Sequence, residues 1–225
     1  MYFSFIAICQ TVGLDDWQQL VEPLPDGPEV TVPPASSVDW GDAPDVDQFY
    51  GRQPKLQQLQ TWVLTDAAKQ INISGPGGIG KTAMTLALTE QLQTEFSYVI
   101  WRSLATVQSL SDLLADLLDS PMTTVDRGIR QLLKKMQHRW LIVLDDVALS
   151  NSYLEMIDRL SQARHQSCLI VISLQPLSAQ LQTSSRSQQL SLAGLSATAA
   201  AELLEACGCV WQGYQLKKPS PSLSP

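Results

Sequence analysis

Short apolar runs recur along the chain. They are residues 71–73 ahead of Ser74, Tyr98-Val99-Ile100-Trp101, Trp140-Leu141-Ile142-Val143-Leu144 and Cys168-Leu169-Ile170-Val171-Ile172. Runs of this length without alternation, rich in β-branched and aromatic residues, predict strands covered on both faces, as in a central parallel sheet. A fifth, shorter strand is predicted over residues 189–192. Between the runs the period changes to that of a helix. Leu56, Leu59, Val63 and Ala67 share one face of a helix running to about Lys69, and residues 81–94 place Leu88 and Leu92 inward. Leu110, Leu113, Leu114, Leu117 and Leu118 follow the i, i+3, i+4, i+7, i+8 template and are closed by Pro121. Val125, Ile129, Leu132, Leu133 and Met136 repeat it, with Lys134, Lys135 and Arg139 in the last turn, where the helix dipole favours cations. Ser152-x-x-Glu155 reads as a capping box opening a helix with Ile157 and Leu160. Ser196 reads as the cap of a last helix carrying Ala199, Leu203 and Leu204. Strands alternating with helices predict an α/β domain with a mainly parallel, five-stranded sheet.

Outside residues 49–208 this pattern fades. Residues 1–48 hold a short apolar start and a possible helical turn near 15–21. Pro23, Pro25, Pro28, Pro33, Pro34 and Pro44 then predict an extended linker over residues 22–44. Residues 209–225 are polar and proline-rich, and disorder is expected there. Charge divides the same way. The chain carries −7 overall, yet Asp15, Asp16, Glu22, Asp26, Glu29, Asp39, Asp42, Asp45 and Asp47 precede the first base, so the remaining 13 acids face all 15 bases. An acidic leader argues against direct nucleic-acid binding, which needs clustered Lys and Arg. Cys9, Cys168, Cys207 and Cys209 follow neither a disulfide nor a zinc spacing, and Cys168 reads as a buried thiol. No run approaches the ~18 apolar residues of a membrane span, and residues 1–8 lack the basic flank of a signal peptide. A cytoplasmic protein is expected, without membrane contact.

The candidate chemistry begins where the first apolar strand ends. Gly75-Pro76-Gly77-Gly78-Ile79-Gly80-Lys81-Thr82 is a full match to the phosphate-binding P-loop, set between a strand and a helix that continues through Ala83. Glycines let the backbone turn its N–H groups inward, where they and the helix N-terminus hold phosphate oxygens. Lys81 supplies a point charge for the β- and γ-phosphates, and the Thr82 hydroxyl is a ligand for Mg2+. This loop specifies the fold class as a P-loop NTPase three-layer sandwich. In a parallel sheet ligands bind at the carboxyl ends of strands, so the loop, Asp145-Asp146 and Ser173 are expected on one rim. Four apolar residues followed by Asp145-Asp146 fit a Walker B pattern: Asp145 is assigned to the metal, and Asp146 to the base that orients or deprotonates the attacking water. Taken alone, such a pair more often caps the next turn, and the complete P-loop upstream reverses that balance.

Several segments together resemble a known family: FYGR at 49–52, SGPGGIGKTAMTLAL at 74–88, FSYVIWRSL at 96–104, LIVLDDV at 141–147 and LAGLSATAAAELL at 192–204. In this order they look like the NB-ARC family of STAND signal-transduction P-loop NTPases, particularly the bacterial multidomain members, over roughly residues 38–208. The resemblance implies an ATP/ADP-operated switch in which ADP holds a resting state, exchange for ATP opens it and hydrolysis resets it. It also implies that Arg52 and its neighbours contact the base or ribose; without it, Arg52 reads as a solvated charge at a helix start. Two departures matter. Where members carry Thr-Ser-Arg after the fourth strand, this chain reads Ile172-Ser173-Leu174, so no guanidinium senses the γ-phosphate and hydrolysis is expected to be weak or absent. The chain also ends soon after the first helix beyond the sheet, so a truncated member, a gene fragment or one piece of a split system is expected. Protein partners or self-association would then act through sensor and effector regions not seen here.

Two other classes compete. A small P-loop kinase needs a lid with arginines, and the region from 104 to 137 offers only Arg127 and Arg130. A non-catalytic interaction fragment would keep the loop as a vestige. A GTPase is disfavoured, because neither Asn72 nor Asn151 has an Asn-Lys-x-Asp context.

Overall fold

In the computed structural model the described residues are 37–45, 49, 51–121, 124–148, 150–177 and 186–206. All of them fall within one unit that begins at Ala35. The helical turn expected near 15–21, the proline-rich residues 22–36, Cys9, Cys207, Cys209 and the tail expected to be disordered lie outside the described residues.

The expected alternation is present. Strands β1 (Ser37–Asp39), β2 (Gln70–Ser74), β3 (Tyr98–Ser103), β4 (Trp140–Asp145), β5 (Cys168–Ser173) and β6 (Ser187–Ser191) form one sheet in the order β1-β3-β4-β5-β2-β6. Every pairing in it is parallel. Among the described residues five α-helices lie between the strands, α1 (Gln53–Leu64), α2 (Lys81–Leu92), α3 (Leu110–Leu118), α4 (Val125–Lys135) and α5 (Asn151–Gln162), and α6 (Ala197–Ala206) follows β6.

Alternation along each strand divides the core in two. Ile71, Ile73, Val99, Trp101, Leu141, Val143, Ile170 and Ile172 pack with Leu56, Leu59 and Val63 of α1 and with Met84, Leu88 and Leu92 of α2. Ile100, Ile142, Leu144, Leu169 and Val171 face the opposite layer, built by the leucines of α3, by Ile129 and Leu132 of α4, and by Met156, Ile157 and Leu160 of α5. Apolar residues on both faces of one strand are what a sheet covered on both sides requires, and β4 and β5 are buried throughout.

Three local expectations are corrected. The sheet has six strands rather than five: β1 lies inside the stretch expected to be linker, pairing Ser37–Asp39 with residues 98–100 of β3. Three residues are too few to show a period. What holds them is Arg102, which is mostly buried, lies 2.6 Å from the Asp39 carboxylate and also pairs with Asp116 of α3. Helix α1 stops at Leu64 instead of running to Lys69. Thr65 and Asp66 both donate their N–H to Thr61 O, Ala67 adopts φ 49°, and Ala68, not Ala67, returns to the core. Helix α5 is opened by Ser150, whose carbonyl accepts from Leu154 N–H. The expected Ser152 capping box does not form, and the Ser152 hydroxyl instead meets the Ser150 hydroxyl at 3.2 Å. Ser196 does cap α6, accepting from Ala199 N–H at 3.2 Å.

Candidate functional site

The carboxyl ends of β2, β4 and β5 bring together residues far apart in sequence. Strand β2 ends at Ser74 and α2 begins at Lys81, so residues 75–80 form the connecting loop. Gly75 has φ 152°, and a Cβ there would lie 2.7 Å from Leu192 O, because β6 runs on close enough for Leu192 N–H to donate to Ser74 O at 2.8 Å. Gly78 and Gly80 have φ 69° and 91°, and Gly80 is the N-cap of α2. Within 4 Å of the positions that a Cβ would take at Gly77, Gly78 and Gly80 there is no atom from beyond the neighbouring residues. These three positions of the loop are therefore open. The loop leads into the first turn of α2, which includes Thr82 and Ala83 and carries no acidic residue to offset the dipole.

Lys81 is almost fully buried, and its ammonium donates to Gly75 O at 2.8 Å and Pro76 O at 2.9 Å. One turn of helix thus ties the loop back on itself and keeps a positive charge beneath it. Thr82 and Asp145 are neighbours: the Thr82 hydroxyl acts on the Asp145 carboxyl, which accepts Asp146 N–H at 2.8 Å. Burial is the largest influence on Asp145 and pushes its carboxyl above the usual range, with Asp146 adding to the rise; the Thr82 hydroxyl, Asp146 N–H and nearby Lys81 pull the other way. Asp146 adopts φ 53°, a conformation that turns the chain sharply out of β4 and leaves its own side chain at the surface.

A cavity of about 530 Å³ opens beside this group, lined by Lys81, Asp146, Val147, Ser173, Leu174 and Gln175 among others. The rim expected from the parallel topology is thus present, with Ser173 on it. The Ser173 hydroxyl is committed to Gln175 O at 2.6 Å and Asn72 Oδ1 at 3.2 Å. Leu174, at the position where a cation was sought, is 66% exposed.

Arg52 lies on the other side of the loop, apart from the acidic pair. It adopts φ 58° as the N-cap of α1 and donates from Nη2 to Ala193 O at 2.8 Å. Its Nη1 is buried without a partner, an orphaned donor of the kind a bound polar group would satisfy. Gly51 packs so closely on α6 that a Cβ would come within 2.8 Å of Ala199 Cβ. Residues 51–52 and 193–199, distant in sequence, therefore form one wall. The motifs alone did not reveal that Ala193 belongs to it. The available signal was that a chain leaving the strand beside β2 must pass the loop that leaves β2.

Among the described residues no three His, Cys, Asp or Glu side chains gather as a metal cluster. No helix among them is long and apolar enough to cross a membrane.

Comparisons with known proteins agree with this geometry. An uncharacterized WD repeat-containing protein of Nostoc sp. is 32% identical over an alignment of 166 residues, covering 60% of this chain. The chain spans only 13% of that relative's length. Among solved structures, Cdc6p from Pyrobaculum aerophilum aligns with TM-score 0.52 at 16% identity, over 67% of this chain and 48% of that one. A Signal Transduction ATPase with Numerous Domains (STAND) protein with a tetratricopeptide repeat sensor, from Pyrococcus horikoshii, aligns with TM-score 0.50 at 16% identity, over 73% of this chain and 26% of its own. At that identity both show the fold, an α/β P-loop NTPase. The NB-ARC domain matches residues 52–210, from the arginine before α1 to just beyond α6, and the chain belongs to that nucleotide-binding family.

Proposed function

We propose that this chain is the ATP/ADP-binding switch module of a cytoplasmic signal-transduction NTPase, and that it holds nucleotide better than it hydrolyses it. The observation that carries the reading is the placement of Thr82 and Lys81 close to Asp145, next to the open glycine positions of the loop. Loop N–H groups from residues 75–80 and the first turn of α2, including Ala83, would hold phosphate oxygens, with Ile79 keeping the loop seated on the core. To reach the β- and γ-phosphates, Lys81 would rotate its ammonium off Gly75 O and Pro76 O. Thr82 and Asp145 would supply two oxygens to Mg2+, which keeps several waters and needs no dedicated protein cage. Bound there, Mg2+ would neutralise charge on the phosphates. The orphaned Nη1 of Arg52 favours a role on the base or ribose side, since it is buried against the wall that ends at Ala193.

Among the described residues Asp146 is the one acidic side chain lining the cavity, so it is the candidate to orient a water. With Leu174 facing the same space, Lys81 is the sole cation lining it among the described residues, which supports slow hydrolysis. Switching would act through protein partners or through further regions of a longer polypeptide, as expected for a module that spans a small part of its relative.

Equilibrium titration with labelled ADP and ATP, together with phosphate release, tests the reading. Saturable binding of both, micromolar or tighter, with little release is expected, and Lys81→Ala should abolish it. Absence of saturable binding would leave the loop as a vestige in an interaction fragment. Fast turnover that depends on an added acceptor would instead indicate a kinase.

A further inference from the structure

Strand β1 stands apart from the rest of the sheet. It is three residues long, pairs on one side only among the described residues, and precedes residue 52, where the NB-ARC match begins. So short a strand makes too few backbone hydrogen bonds to hold its place alone. Side chains and the turn that follows it make the seat.

Arg102 of β3 is mostly buried and bridges two carboxylates, Asp39 at 2.6 Å and Asp116 of α3. Asp39 also accepts Gly41 N–H at 3.1 Å. Gly41 takes φ 47° so close to β3 that a Cβ there would lie 2.5 Å from Trp101 O. Val38, Trp40 and Ala43 pack, half-buried, against the core cluster that contains Trp101. Residues 37–43 therefore clasp the end of β3 as a strap. Arg102 makes that strap releasable: without Asp39 the guanidinium still pairs with Asp116, so undocking strands no unpaired cation.

The part of β3 that the strap grips runs directly into the cavity beside the P-loop. Ser103 is in register with Asp145, Leu104 N–H donates to Asp145 O at 2.8 Å, and Ala105 lines the cavity. The turn reaches this stretch as well, since the Thr106 hydroxyl donates to the Asp42 carboxylate at 3.5 Å. Strap and cavity share one short run of backbone, residues 101–106.

We propose that residues 37–43 are a strap whose docking on β3 is coupled to occupation of the nucleotide cavity, so that bound nucleotide tightens the point at which the preceding chain joins the sheet. The inference rests on the nucleotide-binding reading above. A nucleotide seated beside Asp145 and Ala105 would order residues 104–106, and with them the seat of the strap. Such coupling is reciprocal: the factor by which nucleotide favours docking is the factor by which docking favours nucleotide.

The test is amide hydrogen exchange on the full chain with and without ADP and Mg2+, run beside an ADP titration. ADP should slow exchange at residues 37–43 about fivefold. Gly41→Val cannot fit against Trp101 O, so it should free the strap and weaken ADP binding by about the same factor. Asp39→Ala removes only the clamp on Arg102 and should have a smaller effect of the same sign. Thermal midpoints show that both variants are folded. The proposal is overturned if a chain that binds ADP saturably exchanges residues 37–43 equally fast with and without it. It is also overturned if either folded variant, with 37–43 exchanging freely, binds ADP as tightly as the parent chain. Absence of ADP binding in the parent chain, which the titration reports separately, overturns the nucleotide reading and this inference together.

Discussion

The hydroxyl of Thr82, in the first turn of α2, is close enough to the carboxyl of Asp145 at the end of β4 to oppose the rise in its pKa that burial causes. This proximity brings together the two halves of the candidate metal site. Thr82→Val and Asp145→Asn should each remove the Mg2+ dependence of nucleotide binding, costing about tenfold in affinity with Mg2+ present and little in EDTA. Titrations with and without EDTA check this. An unchanged Mg2+ dependence in both variants would remove Thr82 and Asp145 from the metal site.

Asp146 and Leu174 face the same cavity, and they should separate binding from turnover. Asp146→Asn should leave ADP affinity within about twofold, because its side chain is exposed and its N–H, which bonds Asp145, is retained. It should also remove whatever phosphate release exists. Leu174→Arg should raise release, since a guanidinium there would reach a space in which Lys81 is the sole lining cation among the described residues. Loss of ADP binding in Asp146→Asn would mean that the aspartate positions the loop instead.

Two glycines in the same loop should behave oppositely. Gly75→Ala forces a Cβ to 2.7 Å from Leu192 O at φ 152°, so it should destabilise the fold by about 1–3 kcal/mol and loosen β6. Gly77 meets no atom within 4 Å and has no positive φ, so Gly77→Ala should leave the thermal midpoint unchanged. If phosphate occupies the open side of the loop, Gly77→Ala should nonetheless weaken ADP binding. Melting curves and titrations on the two variants decide it.

Much of this was legible because the signals were local or periodic. The leucine pattern of 110–118 predicted which side chains α3 buries, and all five are buried. The loop pattern and the Asp pair predicted a shared rim because parallel topology fixes where strand ends lie. What stayed hidden depended on contacts between distant segments. Strand β1 exists through Arg102 and its register on β3, neither of which leaves a mark within three residues. The wall joining Gly51 to Ala199 and Arg52 to Ala193 is likewise a product of folding. Helix α1 ends early because Ala67 takes a left-handed conformation that no glycine or proline announces.

His165 links stability to pH. Burial lowers its pKa from 6.5, and Lys69 adds to that effect, while hydrogen bonds to Leu160 and Ser167 oppose it only in part. A second ring proton would set Nδ1–H against Ser167 N–H, donor against donor. The unfolded chain therefore takes up a proton near pH 6.5 that the folded chain refuses. Stability from this group is complete above 6.5 and is lost as pH falls from there toward the depressed folded value. Asp39, held below its usual 3.8 chiefly by its hydrogen bond with Arg102, loses its contribution only in more acidic solution. The thermal midpoint should thus fall between about pH 7.5 and pH 5.5, and His165→Gln should flatten that slope while lowering the midpoint at pH 7.5. Melting curves across this range suffice, and an identical slope in the variant would assign the loss to another group.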